Sequence, residues 1–170
     1  MDLLELSQDA ITECLVSTTL PARYVALVSP SGPSPRKSRY RHRVRYLEVD
    51  QQGVVFNMWY LGYFDEAMAY FLDDGGLPYS DLLGSGLDVQ LVHSEIDWRS
   101  SLRFGDEAWV DVTLEHSGTT SFGLRFDVSA GAQTVAIGRT VYVVVATDGS
   151  GKRPIPPRLA AALGPAGGEG

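Results

Sequence analysis

Residues 46–60 read YLEVDQQGVVFNMWY, and the periodicity of the chain changes type inside this segment. Residues 39–47 alternate, with four arginines on one face and valine, histidine and tyrosine side chains on the other. A period of two residues is that of a β-strand. The sequence therefore predicts a strand over 39–47 that ends just before Asp50.

A long helix is predicted directly after this segment. Within residues 57–74, an apolar stripe recurs at helical spacing: Tyr60, Phe64, Ala67 and Phe71. The pair Gly75 and Gly76 ends the helix, and Pro78 prevents its resumption. A second, short helix is expected around 79–84.

The rest of the chain is typical of strands. Four segments are predicted to be extended: 88–100, 106–117, 121–130 and 134–147. The residues SGTT at 117–120 indicate a hairpin turn between the second and third of them. One strand, a long helix and four further strands favour an α+β class, with the helix lying on one face of a curved antiparallel sheet.

The sequence predicts three parts. Residues 1–38 form an N-terminal extension, with a short amphipathic helix over 1–16 and a Pro/Ser-rich linker over 29–38. Residues 39–158 form the compact domain. Residues 159–170, which end in GPAGGEG, are expected to be a flexible tail.

The composition narrows the class of protein. The chain has 170 residues, of which 44% are hydrophobic and 21% charged, as in a soluble single domain. The single cysteine, Cys14, excludes an intramolecular disulfide and a cysteine-based zinc site, which fits a cytoplasmic protein. The acidic N-terminus is not a signal peptide, and no apolar run approaches the roughly 20 residues of a membrane span. The net charge of −7 argues against general binding to nucleic acid.

The residues resemble those of a known family. A strand, the pattern D-x-x-G-V-V-x-N-x-x-Y at the start of a long helix, and four further strands look like the hotdog fold. More narrowly, the chain resembles acyl-CoA thioesterases of the 4-hydroxybenzoyl-CoA thioesterase type. The residues that match are Asp50, Gly53, Val54, Val55, Asn57 and Tyr60. A second match is WRSSLRFGDEAWVDV at 98–112, and the resemblance covers about residues 39–157.

The predicted loop from Asp50 to Asn57 has the chemical groups that thioester hydrolysis requires. The reaction needs a nucleophile or base beside the carbonyl and donors for the developing oxyanion. A helix N-terminus supplies unpaired backbone N–H groups, and Gly53 lets the backbone approach a ligand closely. Because Asp50 lies seven residues before Asn57, one short loop can present a carboxylate and N–H donors together.

The resemblance implies the same roles. It makes Asp50 the catalytic residue, which attacks the thioester to give an acyl-enzyme anhydride or activates water. It makes the backbone N–H of Asn57 the donor that polarises the carbonyl. Gly53, Val54 and Tyr60 are expected along the substrate path. The reaction needs no cofactor and no metal ion.

Each of these residues also has a purely structural interpretation. An aspartate before a glycine at a strand end is commonly turn chemistry, and Asn57 is a favoured N-cap residue. Tyr60 fits a core position better than a pocket. Asp65 and Glu66, farther along the helix, are expected on a solvated face or at the tail of the substrate groove.

The anchoring of coenzyme A departs from the family. Several members carry Arg or Lys at the hairpin between the third and fourth strands, where coenzyme A phosphates lie, whereas residues 116–120 here are HSGTT. The phosphate or pantetheine contacts are then expected from Arg99, Arg103, Thr119 or the arginines of the first strand. Alternatively, the acyl group arrives on an acyl-carrier protein. The first-strand arginines are more typical of a solvated sheet face.

Two further functions stay open. The hotdog fold can bind an acyl thioester without cleaving it, or act as an enoyl-thioester hydratase or dehydratase. No histidine follows Asp50 before His93, which disfavours the hydratase. His42, His93 and His116 show no metal-ligand spacing. An open sheet edge invites pairing, and the family joins sheets edge to edge, so a homodimer or a dimer of dimers is expected.

Overall fold

The computed structural model describes residues 34–166. The short helix predicted over 1–16 and residues 29–33 of the predicted linker lie outside the described residues. Within them, a long helix is followed by a run of antiparallel strands, so the predicted α+β class is confirmed. No helix in this part of the chain is long and apolar enough to cross a bilayer.

Five strands form one antiparallel sheet. They are β1 (Lys37–Arg43), β2 (Leu87–Trp98), β3 (Glu107–Ser117), β4 (Ser121–Ala130) and β5 (Gln133–Ala146). Their order across the sheet is β1-β3-β4-β5-β2, so β1 and β2 are its two edges. The predicted turn at 117–120 joins β3 to β4, and the Gly118 N–H donates to the Ser121 carbonyl oxygen across it at 2.8 Å.

Three helices accompany the sheet: α1 (Trp59–Asp74), α2 (Tyr79–Gly84) and α3 (Pro157–Leu163). All four residues of the predicted apolar stripe of α1 are buried. The ring of Phe64 stacks on Phe126 of β4, with centroids 4.5 Å apart. Burying one large apolar side chain contributes about 1.5–3 kcal/mol to the free energy of folding. The contacts between the α1 stripe and the sheet therefore stabilise the domain and form its core.

Strand β1 is shorter than predicted. It ends at Arg43, and Tyr46–Glu48 form one turn of 3-10 helix. After β1 the chain turns away from the sheet, and 80% of the Tyr46 surface is exposed. The other predicted strands and the long helix begin and end within two residues of their observed bounds.

The flexible tail predicted over 159–170 is wrong for its first residues. Helix α3 begins at Pro157 and buries Leu159, Ala162 and Leu163. It packs so closely on the end of α1 that a Cβ built on Gly75 would stand 2.5 Å from the Ala162 carbonyl oxygen. A short run of leucine and alanine near a chain end gives little periodicity, whereas in the fold it covers an apolar helix end.

The arginines of β1 lie on a solvated sheet face, and two of the three, Arg39 and Arg41, pair with carboxylates of β3. Arg39 forms a two-pronged pair with Asp111 of β3, with Nε 2.7 Å from Oδ1. Arg41 pairs with Glu107 of the same strand. Both guanidinium groups also lie over the Trp109 ring, 5.5 and 5.8 Å from its centroid. These contacts support the interpretation of the first-strand arginines as residues of a solvated sheet face.

Candidate active site

The segment between β1 and α1 folds into a closed loop. Val49 and Val55 face each other as an isolated antiparallel bridge. Inside the bridge, Gly53 has φ 72°, a left-handed conformation that favours glycine. Its N–H donates to the Asp50 carbonyl oxygen at 2.9 Å, and the Asp50 N–H donates to Val54 at the same distance. The loop therefore holds Asp50 in a tight turn.

The Asp50 side chain is half-buried in this loop. Its Oδ1 accepts a hydrogen bond from the Gln52 backbone N–H at 2.7 Å, so the turn chemistry expected of this residue is present. Among residues 34–166, Oδ2 has no hydrogen-bond partner and the carboxylate forms no ion pair within 4.0 Å. One oxygen is thus held by the turn, and the other is available for chemistry.

Helix α1 begins with uncapped backbone donors. It starts at Trp59 after Met58, and no side chain caps it, so the N-cap interpretation of Asn57 is wrong. The Trp59 N–H donates to the Phe56 carbonyl oxygen at 2.9 Å, whereas the N–H groups of Asn57 and Met58 have no acceptor within the described part of the chain. Both residues are exposed. Two N–H groups therefore stand ready for an anionic ligand, and the one on Met58 was not predicted.

Val54 and Tyr60, the predicted substrate contacts on either side of these donors, differ in their exposure to solvent. Tyr60 is 2% exposed, and its ring meets Trp98 edge-on with centroids 6.2 Å apart. Burial raises the pKa of the Tyr60 hydroxyl. Val54 is half-buried in the loop. The loop valine is therefore accessible to a ligand, and the tyrosine lies in the core of the domain.

Arg103 brings a positive charge to the loop. The Val55 N–H donates to the Leu102 carbonyl oxygen at 2.9 Å, so the segment before β3 runs beside the loop. A Cβ built on Gly53 would stand 3.7 Å from Nη1 of Arg103. This guanidinium is exposed and has no carboxylate within 4.0 Å among residues 34–166. Arg99, by contrast, lies 3.5 Å from Asp97.

Thr119 lies at the other end of the sheet. It is in the turn between β3 and β4, whereas Arg103 precedes β3 and the Asp50 loop follows β1 at the opposite end. Strand β4 has ten residues, and at about 3.3 Å a residue its two ends are about 30 Å apart. The predicted phosphate contacts of this chain therefore do not form a single site.

A buried carboxylate lies two residues before Asp50. Glu48 is fully buried, and its Oε2 accepts a hydrogen bond from the Tyr63 hydroxyl at 2.8 Å and lies 3.0 Å from Nε2 of His42. The backbone and side chain of Arg45 also donate to it. Burial by itself raises the pKa of Glu48, but the hydrogen bonds from the histidine, tyrosine and arginine outweigh it and lower the pKa to about 2.

The sequence carried only a weak signal for this cluster. Alternation places His42 on the face of the first strand opposite the arginines, but no local pattern marks Glu48 as its partner. The polar contacts continue beyond it. Nδ1 of His42 lies 3.9 Å from Glu66 of α1, which in turn accepts a hydrogen bond from the Tyr40 hydroxyl. Glu66 thus belongs to a polar cluster as well as to an exposed helix face.

A cavity of about 410 Å³ lies beside α1 and near the β2 edge. Its lining residues are Asp65, Glu66, Met68, Ala69, Tyr79, Val89, Leu91 and Tyr142. The Tyr142 hydroxyl donates to Oδ1 of Asp65 at 2.9 Å. Burial is the main cause that raises the pKa of this tyrosine. The two helix carboxylates therefore border a mixed polar and apolar cavity. No cluster among residues 34–166 is arranged to hold a metal ion.

Comparison with known proteins gives consistent matches. Residues 44–163 match a family model described as "Thioesterase-like superfamily". A protein of Aquifex aeolicus named "Putative esterase" is 33% identical over 106 residues, which are 62% of this chain and 83% of that protein.

Solved structures share the fold. A hypothetical protein from Aquifex aeolicus aligns with a TM-score of 0.72 and 30% identity, over 75% of this chain and 99% of that one. A 1,4-dihydroxy-2-naphthoyl-CoA thioesterase from Synechocystis aligns with a TM-score of 0.69 and 25% identity, over 75% and 96% of the two chains. The residues that match the family model, 44–163, include the Asp50 loop, the long helix and strands β2 to β5.

Proposed function

The chain belongs to the thioesterase-like superfamily and has its hotdog fold, and from this premise we propose that it hydrolyses an acyl-CoA or acyl-carrier-protein thioester with Asp50 as the catalytic carboxylate. One observation carries the proposal. The loop that holds Asp50 leads directly into a helix start where the N–H groups of Asn57 and Met58 lack acceptors among the described residues. A carboxylate and two oxyanion donors are the groups that acyl transfer requires.

Two mechanisms fit this arrangement. In the first, an Asp50 oxygen bonds to the acyl carbon, the carbon–sulfur bond breaks, the thiolate leaves and takes up a proton, and water hydrolyses the resulting anhydride. In the second, Asp50 accepts a proton from a water molecule that attacks the acyl carbon directly, the carbon–sulfur bond breaks, and the leaving thiolate takes up the proton. In both, the N–H groups at the start of α1 stabilise the charge that develops on the carbonyl oxygen.

The proposed substrate is a thioester, and coenzyme A is the better supported carrier. The Synechocystis protein is named for a coenzyme A thioester. In this chain, the guanidinium of Arg103 lies beside the loop without a carboxylate partner among residues 34–166, and it supplies a positive charge that a phosphate can use. Arg99 is a weaker candidate because Asp97 already lies beside it. Hydrolysis of a panel of aroyl and acyl thioesters would show whether the acyl group is aromatic or aliphatic.

We also propose that the active form is a homodimer, or a dimer of dimers. The edge strand β2 presents Leu91 and Val92, which are 41% and 57% exposed. Exposed apolar side chains on an unpaired sheet edge favour pairing with a second copy. Edge-to-edge pairing would place residues of another subunit near the cavity that Leu91 lines. Thr119 could join the site only from another subunit.

The test is hydrolysis of a panel of aroyl and acyl thioesters by the wild type, Asp50→Asn and Asp50→Ala. We expect both variants to lose turnover by about 100-fold or more. Asp148→Asn is the matched control, because Asp148 accepts a backbone hydrogen bond from the residue two positions later, as Asp50 does. If both Asp50 variants keep wild-type turnover on an accepted substrate, the catalytic assignment is wrong.

Two further measurements sharpen the result. Asp65→Asn removes the charge of one of the two carboxylates that line the cavity beside α1 and is expected to change acyl preference while turnover survives. An acyl group trapped on Asp50 and located by mass spectrometry would select the anhydride mechanism. Acyl-thioester binding by the wild type with no turnover across the panel would identify a binding protein instead.

A further inference from the structure

Glu48 connects the two elements on either side of the Asp50 loop. On the β1 side, Nε2 of His42 lies 3.0 Å from its carboxylate. On the α1 side, the Tyr63 hydroxyl donates to the same oxygen at 2.8 Å. The Glu48 backbone carbonyl oxygen also accepts the N–H of Phe56 at 2.9 Å, where the loop ends. One residue thus contacts the strand, the helix and the far end of the loop.

Arg45 extends these contacts to the first residue of α1. Its Nε donates to Oε1 of Glu48 at 2.6 Å, and its backbone N–H donates to Oε2 at 2.8 Å. The guanidinium carbon lies 6.0 Å from the ring centroid of Trp59, within the range of a cation–π contact. The Glu48 charge therefore orients a side chain that lies against the helix start.

The environment of Glu48 makes this arrangement rigid. No part of the side chain is exposed, and a buried carboxylate is stable only while donors surround it. Charge-assisted hydrogen bonds are also shorter and stronger than neutral ones. Displacing the loop relative to α1 would pull at least one donor away from the buried charge. The loop consequently has a narrow range of low-energy positions relative to α1.

We propose that Glu48 is a positioning residue, whose buried carboxylate fixes the distance between Asp50 and the N–H groups of Asn57 and Met58. The inference rests on the proposed function, because it concerns the same site. Glu48 itself does not touch the substrate, since its side chain is fully buried. Its contribution is geometric: a misplacement of about 1 Å between reacting groups can lower a rate by about 100-fold.

Two variants test this role. Glu48→Gln keeps the size of the side chain and removes its charge, and the amide NH₂ would face groups that are themselves donors. Tyr63→Phe removes a single donor from Glu48 and leaves the ring in place, so it serves if the first variant does not fold. Glu107→Gln is the control, because it removes a carboxylate from an exposed pair with Arg41 on the same sheet.

Two readouts distinguish positioning from a general effect on stability. We expect Glu48→Gln to lower kcat by about tenfold or more with KM within about threefold, since the reacting geometry changes and the binding surface does not. We also expect faster amide hydrogen exchange at residues 50–58, by about tenfold, with unchanged exchange in β4 and β5. Tyr63→Phe should show smaller changes of the same kind, and Glu107→Gln none.

The outcomes separate this inference from the proposed function. Wild-type exchange at residues 50–58 in Glu48→Gln would overturn it, and so would exchange that accelerates equally throughout the sheet. Unchanged kcat in both variants would overturn it while Asp50 remained catalytic. If the wild type hydrolyses no thioester, the proposed function fails, and the hydrogen-exchange result still decides whether Glu48 fixes the loop.

Discussion

The ring of Phe64 covers the backbone of Gly138 so closely that a Cβ built on the glycine would stand 2.2 Å from a ring carbon. The phenylalanine is fully buried in α1, and the glycine lies on β5 beneath it. Any side chain at position 138 would lift the helix from the sheet. The absence of a side chain at one position thus sets how closely α1 approaches the sheet.

Gly138→Ala should therefore destabilise the domain. Overpacking of a well-packed core costs about 1–3 kcal/mol, which corresponds to several degrees in Tm for a chain of this size. Gly123→Ala is the matched control: its Cβ would meet the ring of His116, which is exposed and can rotate away. Thermal unfolding of the two variants compares them, and equal losses would contradict the proposed role of the Phe64 contact.

Glu48 should make the free energy of unfolding depend on pH in the acidic range. Its pKa of about 2 lies below the ordinary value of 4.5, so its stabilisation is complete above pH 4.5 and is lost as the pH falls towards 2. The groups facing it are His42, Arg45 and Tyr63. Urea unfolding should show that Glu48→Gln is less stable than the wild type at about pH 6, and that the gap narrows by on the order of 2 kcal/mol at about pH 3.

A constant gap across this range would contradict the acid prediction. Glu107→Gln is again the comparison, because Glu107 is exposed and its ion-pair partner in the described part of the chain is Arg41. Its stability relative to the wild type should change little with pH, since exposed ion pairs contribute between about 0 and 1 kcal/mol.

Arg103 should matter for substrates that carry phosphates. We expect Arg103→Gln to raise KM for an accepted acyl-CoA by about tenfold, because a charge-assisted contact to phosphate is lost. The KM for the same acyl group on pantetheine, which lacks the nucleotide phosphates, should not change. Arg99→Gln should have a smaller effect, since Asp97 already lies 3.5 Å from that guanidinium. Equal KM increases for both substrates would show that Arg103 contacts another part of the ligand.

The β2 edge should control the oligomeric state. Val92→Lys places a charge on the exposed apolar side of the edge strand, and charged side chains on an edge oppose strand pairing. Light scattering should show a dimer or larger assembly for the wild type and a smaller species for this variant. Leu83→Lys, at an exposed apolar position of α2, is the control. A wild-type assembly in the Val92 variant would exclude β2 as the interface.

The order of elements could be predicted from the sequence because each has a strong local signal. The stripe of α1 has helical spacing, the strands alternate, and Gly75 and Gly76 mark the end of the helix. The position of Asp50 between the first strand and the start of the long helix follows from the same pattern. The structure keeps Asp50 between β1 and α1, but β1 ends at Arg43, so Asp50 lies in a loop and not at the strand end that was predicted.

The remaining features depend on contacts between residues distant in sequence. The donors to Glu48 include His42 from β1 and Tyr63 from α1, which only the fold brings together. The separation of Thr119 from Asp50 follows from sheet topology, and no local pattern encodes it. Helix α3 was not predicted because its apolar residues are buried only by contact with a distant part of the chain, at Gly75.

The pairing of Arg36 with the segment after α3 has a consequence for engineering. The Arg36 N–H donates to the Pro165 carbonyl oxygen at 3.2 Å, and its guanidinium donates to Ala162 at 2.9 Å. The two ends of the folded domain are therefore neighbours, and a short linker could join them into a continuous chain. New termini opened at the exposed turn between β4 and β5 would yield a circular permutant that keeps the Asp50 loop uninterrupted.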